Sequence, residues 1–562
     1  MAVTNHPKQT EKLPAWAQRG KIRLAQVEGG PSSAAEMILL EGWDCSPGKL
    51  LITGRYGPDL VDELVAKKIN AVILTWSPGF SHEGDAAQWE IVRALLPLLK
   101  KKKIKAIARI SLSSSFKSEM FVRVPEAKDW LRHGDDGEAG ASGAAELKHM
   151  DVANSSWRAY LTHKAQSAID SGFDGIYFDD YISTPAARVE IQLALQQAVS
   201  TNRAADASPL IFGCDSFGFP PLSEMGHFHS SDFGQRPGFT PAGTLQMNLE
   251  FYKLLYEAGG RERPFSCGLA TMGEVVDSPR ARALSAAEIL SSGGVVHDLN
   301  APLNYLLFQE ETAPEWSAAD PINAIGILFC DIPRFGGIPA GETVATLLAR
   351  HNIQFDLIPV TRLEHFDLKK YGLICALTVQ TISNALGNAL KSFVTDHGGT
   401  LMISPFTGIL DETGTPREKA IPFAPGANPP ERDETREGAG RVLTYAPTED
   451  VYDAHQSFRP AAAKILVDDV RAFGAPHSIE VTAPDGVVAQ LWGKGTRRWV
   501  HVLNYRNEPC NATIALPGCG GREIVVASPD AQKPALNVIE TGHAHAAFSL
   551  SGVETYCVVE VK

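Results

Sequence analysis

Between residues 20 and 310, short apolar runs alternate with longer stretches in which apolar positions recur every three or four residues. The first pattern is that of buried strands and the second that of amphipathic helices. The strand-like runs are Ile22–Gln26, Ala71–Thr75, Ala106–Ile110, Gly175–Asp179, Leu210–Cys214, His227–Ser231, Phe265–Leu269 and Gly294–Asp298. Helical spacing is clearest over Trp89–Lys101 and Trp157–Ser171. A series of strand–helix units of this kind predicts an α/β fold closed into a (β/α)8 TIM barrel over residues 1–315.

The pattern restarts after the proline-containing, acidic stretch around Pro314, Glu315, Asp320 and Pro321. Strand-like runs at Ala324–Ile327, Phe355–Pro359, Gly372–Leu377 and Thr400–Ser404 predict a small doubly wound α/β domain, flavodoxin-like or amidotransferase-like, over 320–456. Residues Phe406 to Arg441 are rich in proline, glycine and charge and read as an irregular excursion. From 457 to 562, alternating runs such as Gly486–Trp492 and Trp499–Leu503, punctuated by turn residues, predict an antiparallel β-sandwich.

Composition narrows the function classes. With 52 basic and 65 acidic residues the net charge is −13, which opposes phosphate backbones and anionic lipid, so neither nucleic acid nor membrane is an expected partner. The run Lys100 to Lys103 closes an amphipathic segment and suits a solvated helix C-terminus. Eight cysteines are scattered over the whole length, several inside apolar runs, and no C-x-x-C spacing suggests a metal site. Cys510 and Cys519 are near enough in sequence to pair across a hairpin, and Cys375 reads as strand interior rather than as a nucleophile on a tight turn. No run reaches the roughly 18 apolar residues of a membrane span, and the polar N-terminus has no apolar signal core. A cytoplasmic location is expected for the chain as given.

The chemistry concentrates where the strand Gly175-Ile176-Tyr177-Phe178 runs into Asp179 and Asp180. Strand C-termini are where barrel enzymes place catalytic groups, and neighbouring carboxylates shift each other's proton affinity. Glycoside hydrolysis needs two carboxyl groups across the sugar, one attacking or activating water and one donating a proton to the leaving oxygen. Asp215 follows the fifth strand and Asp232 the sixth, so both are candidates to join Asp179 at one mouth.

These residues resemble the α-galactosidase clan of retaining α-glycosidases, and more loosely the α-fucosidases. The resemblance implies Asp179 as nucleophile, Cys214 as the pocket cysteine and Asp232 as acid/base. Tyr177 stands where those enzymes have a sugar-binding lysine and His229 where they have an arginine, so the resemblance bears on the reaction more than on the sugar. The domain order is similar to that of a β-galactosidase family that trimerises through its middle domain, which implies a homo-oligomer. That family uses glutamates after strands four and seven, and Glu274 lies near the end of strand seven.

Further candidates complete the site. Trp76 after strand two is either a sugar-stacking indole or core. Arg109 in strand three is either a partner for Asp179 or Asp180 or a structural ion pair. His297, with Asp298, ends strand eight in a position suited to a substrate hydroxyl. Asp180 is expected to support its neighbour, and Asp151 to cap the helix before strand four. The expected function is a retaining exo-acting α-glycosidase without cofactor or metal, acting on carbohydrate. The alternatives are a β-galactosidase-like or endo-acting hydrolase with another acid pair, and a non-catalytic carbohydrate-binding barrel.

Overall fold

The computed structural model describes residues 15–18, 20–27, 56–133, 147–179, 210–214, 228–231, 247–258, 265–267, 269, 278–330, 343–360, 366–423, 432–445, 459–474, 479–540 and 545–562. Eight parallel strands pair in chain order: β1 (Leu24–Val27), β2 (Ala71–Ser77), β3 (Lys105–Ser111), β4 (Gly175–Asp179), β5 (Leu210–Cys214), β6 (Phe228–Ser231), β7 (Phe265–Cys267) and β8 (Val295–Val296). The last strand returns to the first. Gln26 and Asp298 form a parallel bridge, and the Gln26 backbone N–H donates to the His297 carbonyl at 2.7 Å, closing the barrel.

The helices described around it are α1 (Pro58–Ala66), α2 (His82–Lys101), α3 (Lys117–Arg123), α4 (Ser155–Asp170), α5 (Leu249–Ala258), α6 (Pro279–Ser291) and α7 (Leu303–Trp316). Strand alternation separates two apolar sets. Leu24, Ala71, Ile73, Ile107, Tyr177 and Val295 fill the barrel interior together with Ala17 and Ile22. Ala25, Val72, Leu74, Ala108, Ile110, Ile176 and Phe178 face outward and pack on the helices. Asn154, not Asp151, caps α4: its side chain accepts from the N–H groups of Ser156 and Trp157, while Asp151 accepts from Ala153 N–H one turn earlier. Asp174 ties the entry of β4 to β3 by accepting from Lys105 Nζ at 2.8 Å and Ala106 N–H at 3.1 Å.

The middle layer is a six-stranded sheet. Its strands are β9 (Ile325–Phe329), β10 (Asp356–Pro359), β11 (Leu373–Cys375), β12 (Thr400–Ile403), β13 (Arg432–Glu437) and β14 (Gly440–Tyr445), in the order β10-β9-β11-β12-β14-β13. All neighbours are parallel except the β13–β14 hairpin. The hairpin corrects the reading of this stretch as irregular. β13 is an exposed edge strand whose charges, Arg-Asp-Glu-Thr-Arg-Glu, imitate a loop in sequence while discouraging edge-to-edge pairing. Helix α8 (Val344–Arg350) follows β9 and α9 (Asn384–Thr395) follows β11.

Helix α10 (Pro460–Phe473) also belongs to this layer, so the layer extends beyond the expected limit at 456. Tyr445 Oη donates to Asp469 Oδ2 at 2.6 Å, and Arg432 pairs with the same carboxylate at 2.7 Å. Cys375 is fully buried at the end of the central strand, and burial pushes its thiol up to about 12, which removes it from consideration as a nucleophile. The final layer is a sandwich of a five-stranded and a four-stranded sheet, and Asp320–Pro321, at the exit of the barrel, adds an edge strand to the larger one. Cys510 and Cys519 are buried and unpaired rather than bridged.

Two buried carboxylates knit the barrel to the other layers. Glu288 on α6 accepts from the Asn248 backbone N–H and from Tyr505 Oη of the sandwich, each at 2.7 Å, and Glu250 on α5 accepts from the hydroxyl of Thr343, the cap of α8. Burial pushes both carboxyls up to about 7. A folded pKa above the unfolded value means the folded chain holds extra protons between about 4.5 and 7, so stability is fully present below that window and falls as pH rises through it. The melting temperature is therefore expected to drop from pH 5 to pH 8. The Glu288→Gln, Glu250→Gln double variant should flatten that slope in thermal melts, and an unchanged slope would locate the dependence elsewhere.

Candidate functional site at the barrel mouth

The strand ends are shaped by hydrogen bonds that a regular ladder would not make. Tyr56 inserts its hydroxyl between β1 and β2, accepting from Thr75 N–H at 2.8 Å and donating to the Val27 carbonyl at 2.7 Å. The two strands thereby part at their C-terminal ends. In β2 the register then shifts: Thr75 pairs with Arg109, but Ser77 pairs with Ile110, leaving Trp76 as the extra residue of a bulge. Bulges of this kind recur at barrel rims and re-aim side chains.

The bulge decides the role of Trp76. Its indole lies in the outer core, stacked on Trp89 at 4.8 Å and edge-on to Phe173 at 5.2 Å, with no solvent exposure. The residue packs the wall against α2 and offers no face to a sugar, which is the core alternative rather than the stacking one. Ser77 also turns outward, where its hydroxyl meets Lys164 Nζ at 2.6 Å.

Inside the mouth, β3 and β4 lie in register with Arg109 opposite Tyr177 and Ser111 opposite Asp179. Arg109 thus sits one inward-facing position before the end of β4. Opposite, His297 follows β8 and is buried, with Nδ1 3.1 Å from Ser266 Oγ on β7. Burial, assisted by the positive charge of Arg109 and opposed by Asp298, lowers its imidazole to about 4, so the ring is neutral at ordinary pH. Gln26 at the end of β1 has its side-chain oxygen buried without a hydrogen-bond partner.

Of the residues expected from sequence, the fold brings Arg109, His297 and the end of β4 to one rim. Asp179 is the last residue of β4, Cys214 the last of β5, and His229 lies within β6 beside Gly213. Asp180, Asp215, Asp232 and Glu274 lie outside the described residues. Sequence reading passed over Tyr56, Gln26, Thr75, Ser111 and Ser266. Ser111 and Thr75 were accessible through the period-two rule, since each shares the strand face of Arg109 or its partner, whereas the Tyr56 wedge has no sequence signature. Among the described residues no group of three or more His, Cys, Asp or Glu side chains is placed to hold a metal ion. No helix described is long and apolar enough to cross a membrane.

A closed eight-stranded barrel with polar groups at its C-terminal rim, followed by a doubly wound layer and a sandwich, is a scaffold of barrel enzymes. Comparison with known proteins narrows it to one class of scaffold. Residues 346–424, within the middle layer, match the family model of the β-galactosidase trimerisation domain. Over the whole chain the fold is similar to that of α-L-fucosidase isoenzyme 2 from Paenibacillus thiaminolyticus, with a TM-score of 0.64 and 11% identity over 96% of this chain and 100% of that one. It is also similar to the β-galactosidase from Rahnella sp. R3, with a TM-score of 0.63 and 11% identity over 97% and 98% of the two chains. The β-galactosidase from Bacillus circulans sp. alkalophilus gives 0.62 and 11% over 97% and 99%. No curated protein sequence matches the chain. The fold is thus similar to that of these barrel glycosidases over nearly the whole chain.

Proposed function

We propose that the chain is a glycoside hydrolase of β-galactosidase-like build, with the carboxylate of Asp179 as one of its two catalytic groups. The single observation that carries this reading is the trimerisation-type middle domain following directly on a barrel whose fourth strand ends in an acid. Alternation along β4 favours Asp179 over Asp180, because Tyr177, two residues earlier, faces the barrel interior. Glu274, after strand seven, is the second carboxylate in this reading. The middle domain makes a homo-oligomer the working form, and the reaction needs no cofactor beyond the acid pair.

A second reading is supported by a specific observation: strand four ends in aspartate rather than glutamate, and an α-L-fucosidase shares the fold over the whole chain. There Asp179 attacks the anomeric carbon and Asp232 protonates the leaving oxygen, with Cys214, Asp215 and His229 contacting the sugar. Turnover of a panel of aryl α- and β-galactosides and α-fucosides, with NMR of the first-formed anomer, separates the two. Cleavage of a β-galactoside that is lost in Glu274→Gln supports the first, and cleavage of an α-glycoside that is lost in Asp232→Asn supports the second. Absence of turnover on the whole panel by folded protein would return the barrel to a binding role.

A further inference from the structure

The polar side chains that face the mouth differ in how they are engaged. Ser111 Oγ donates to the Ser114 carbonyl at 3.0 Å, and His297 Nδ1 lies 3.1 Å from Ser266 Oγ. Gln26 stands apart from them. Its backbone N–H closes the barrel on the His297 carbonyl, but its side-chain Oε1 is buried without a hydrogen-bond partner. Alternation along β1 sends this side chain inward, since Leu24, two residues earlier, belongs to the barrel interior while Ala25 and Val27 pack outward. Across the seam Gln26 pairs with Ile73, another interior side chain. The Tyr56 hydroxyl enters that seam one residue on, and its single proton is already given to the Val27 carbonyl. The oxygen thus lies at the mouth end of an apolar interior, with an acceptor capacity that the protein leaves unused.

We propose that Gln26 is a substrate-binding residue: its carboxamide takes one unsubstituted hydroxyl of a sugar seated in the mouth, with Oε1 accepting the hydroxyl proton. This inference rests on the reading of the mouth as a glycosidase site and adds the kind of group that the β1 wall recognises. A buried acceptor left without a donor carries the full cost of its desolvation, so an oxygen in this position gains most from a group that brings a proton. A carboxamide both accepts and donates, and so does a hydroxyl. A carboxylate, sulfate or phosphate only accepts, and would set negative charge against Oε1. The β1 side of the mouth is therefore matched to a neutral sugar face rather than to a uronic, sulfated or phosphorylated one.

The test compares the full-length protein with Gln26→Met, which keeps the length of the side chain and removes its hydrogen-bonding atoms. The probes are p-nitrophenyl β-galactoside and p-nitrophenyl α-fucoside, their monodeoxy analogues, and free galactose and fucose in thermal melts. On whichever glycoside is turned over, kcat/KM is expected to fall about 10- to 100-fold. On the monodeoxy analogue that lacks the engaged hydroxyl, variant and unaltered protein should differ by less than about twofold, because the contact is already gone. The melting temperature without sugar should stay level or rise, since an apolar group replaces an unsatisfied acceptor, while the protection given by the free sugar should shrink. Gln26→Leu repeats the comparison if Gln26→Met does not fold. Unchanged kcat/KM, or an equal penalty on every monodeoxy analogue, overturns the substrate contact while leaving the glycosidase reading in place. Absence of turnover, with sugar protection that the substitution abolishes, removes the glycosidase reading and keeps the contact. Neither turnover nor protection by either sugar overturns both.

Discussion

Replacing Lys164 by alanine is expected to lower the stability of the chain by about 3–5 kcal/mol, the range for breaking a buried ion pair by removing one partner. Lys164 on α4 and Asp85 on α2 are both fully enclosed, and their Nζ and Oδ2 atoms are 2.7 Å apart. The ammonium also donates to Ser77 Oγ at 2.6 Å and to the Phe80 carbonyl, so it joins the end of β2, the loop after it and the helix that follows. Glu119 on α3 reinforces the same loop by accepting from the backbone and the hydroxyl of Ser81, the cap of α2. Without the lysine, a carboxylate remains buried among groups that cannot replace its cation. The effect carries a pH signature. Burial already pushes the Asp85 carboxyl up to about 6, with Lys164 opposing the rise. Removing that opposition raises it further, so the folded variant binds a proton that the unfolded chain releases near 4, and its stability falls as pH rises above that value. Denaturant unfolding should therefore show a larger deficit at pH 8 than at pH 5. The pair Lys164→Met with Asp85→Leu should recover much of it, because an apolar pair of similar size carries no desolvation cost. Equal deficits at both pH values would mean that Asp85 is not left charged.

The barrel was legible because buried parallel strands are short apolar runs and their covering helices repeat at three and four residues; the eight observed strands fall on the expected runs, with ends displaced by a few residues. What escaped was decided by contacts between distant residues. Trp76 follows an apolar strand and precedes Ser-Pro-Gly, which looks like a rim, yet one bulge turns it toward Trp89. The charged hairpin β13–β14 reads as a loop because an edge strand exposed on both sides has no apolar alternation to show. Helix α10 lies beyond the expected end of the middle domain, and contacts such as Tyr445–Asp469 and Arg432–Asp469 reveal which layer it joins. At the candidate site, adjacent acids after an apolar run pointed to Asp179 and a cation within the strand-three run to Arg109, and the fold carries both positions toward the C-terminal ends of their strands. The hydrogen bond between His297 and Ser266 joins β7 to the end of β8, which spacing along the chain does not disclose. The architecture supported the β-galactosidase-like alternative more than the α-galactosidase resemblance drawn from strands four to six, because that resemblance rested on isolated residues and the domain order on the whole chain.

Asp179→Asn is the second large effect, an expected loss of about 10³-fold in kcat/KM, the scale on which a positioned acid, base or nucleophile contributes. Asparagine keeps the size of the side chain and its capacity for hydrogen bonding while removing the charge. Melting temperatures of the variant separate a loss of activity from a loss of fold. Asp180→Asn should cost much less, because Asp179 is the residue that continues the inward-facing series of Tyr177. The loss is common to both functional readings, since each requires the strand-four carboxylate whichever residue supplies the second acid. The most direct measurement is turnover, by Asp179→Asn and by the unaltered protein at matched melting temperature, of the aryl glycoside that the panel identifies. A fall of about 10³-fold is the predicted result, and turnover equal to that of the unaltered protein would contradict a catalytic carboxylate at the end of strand four.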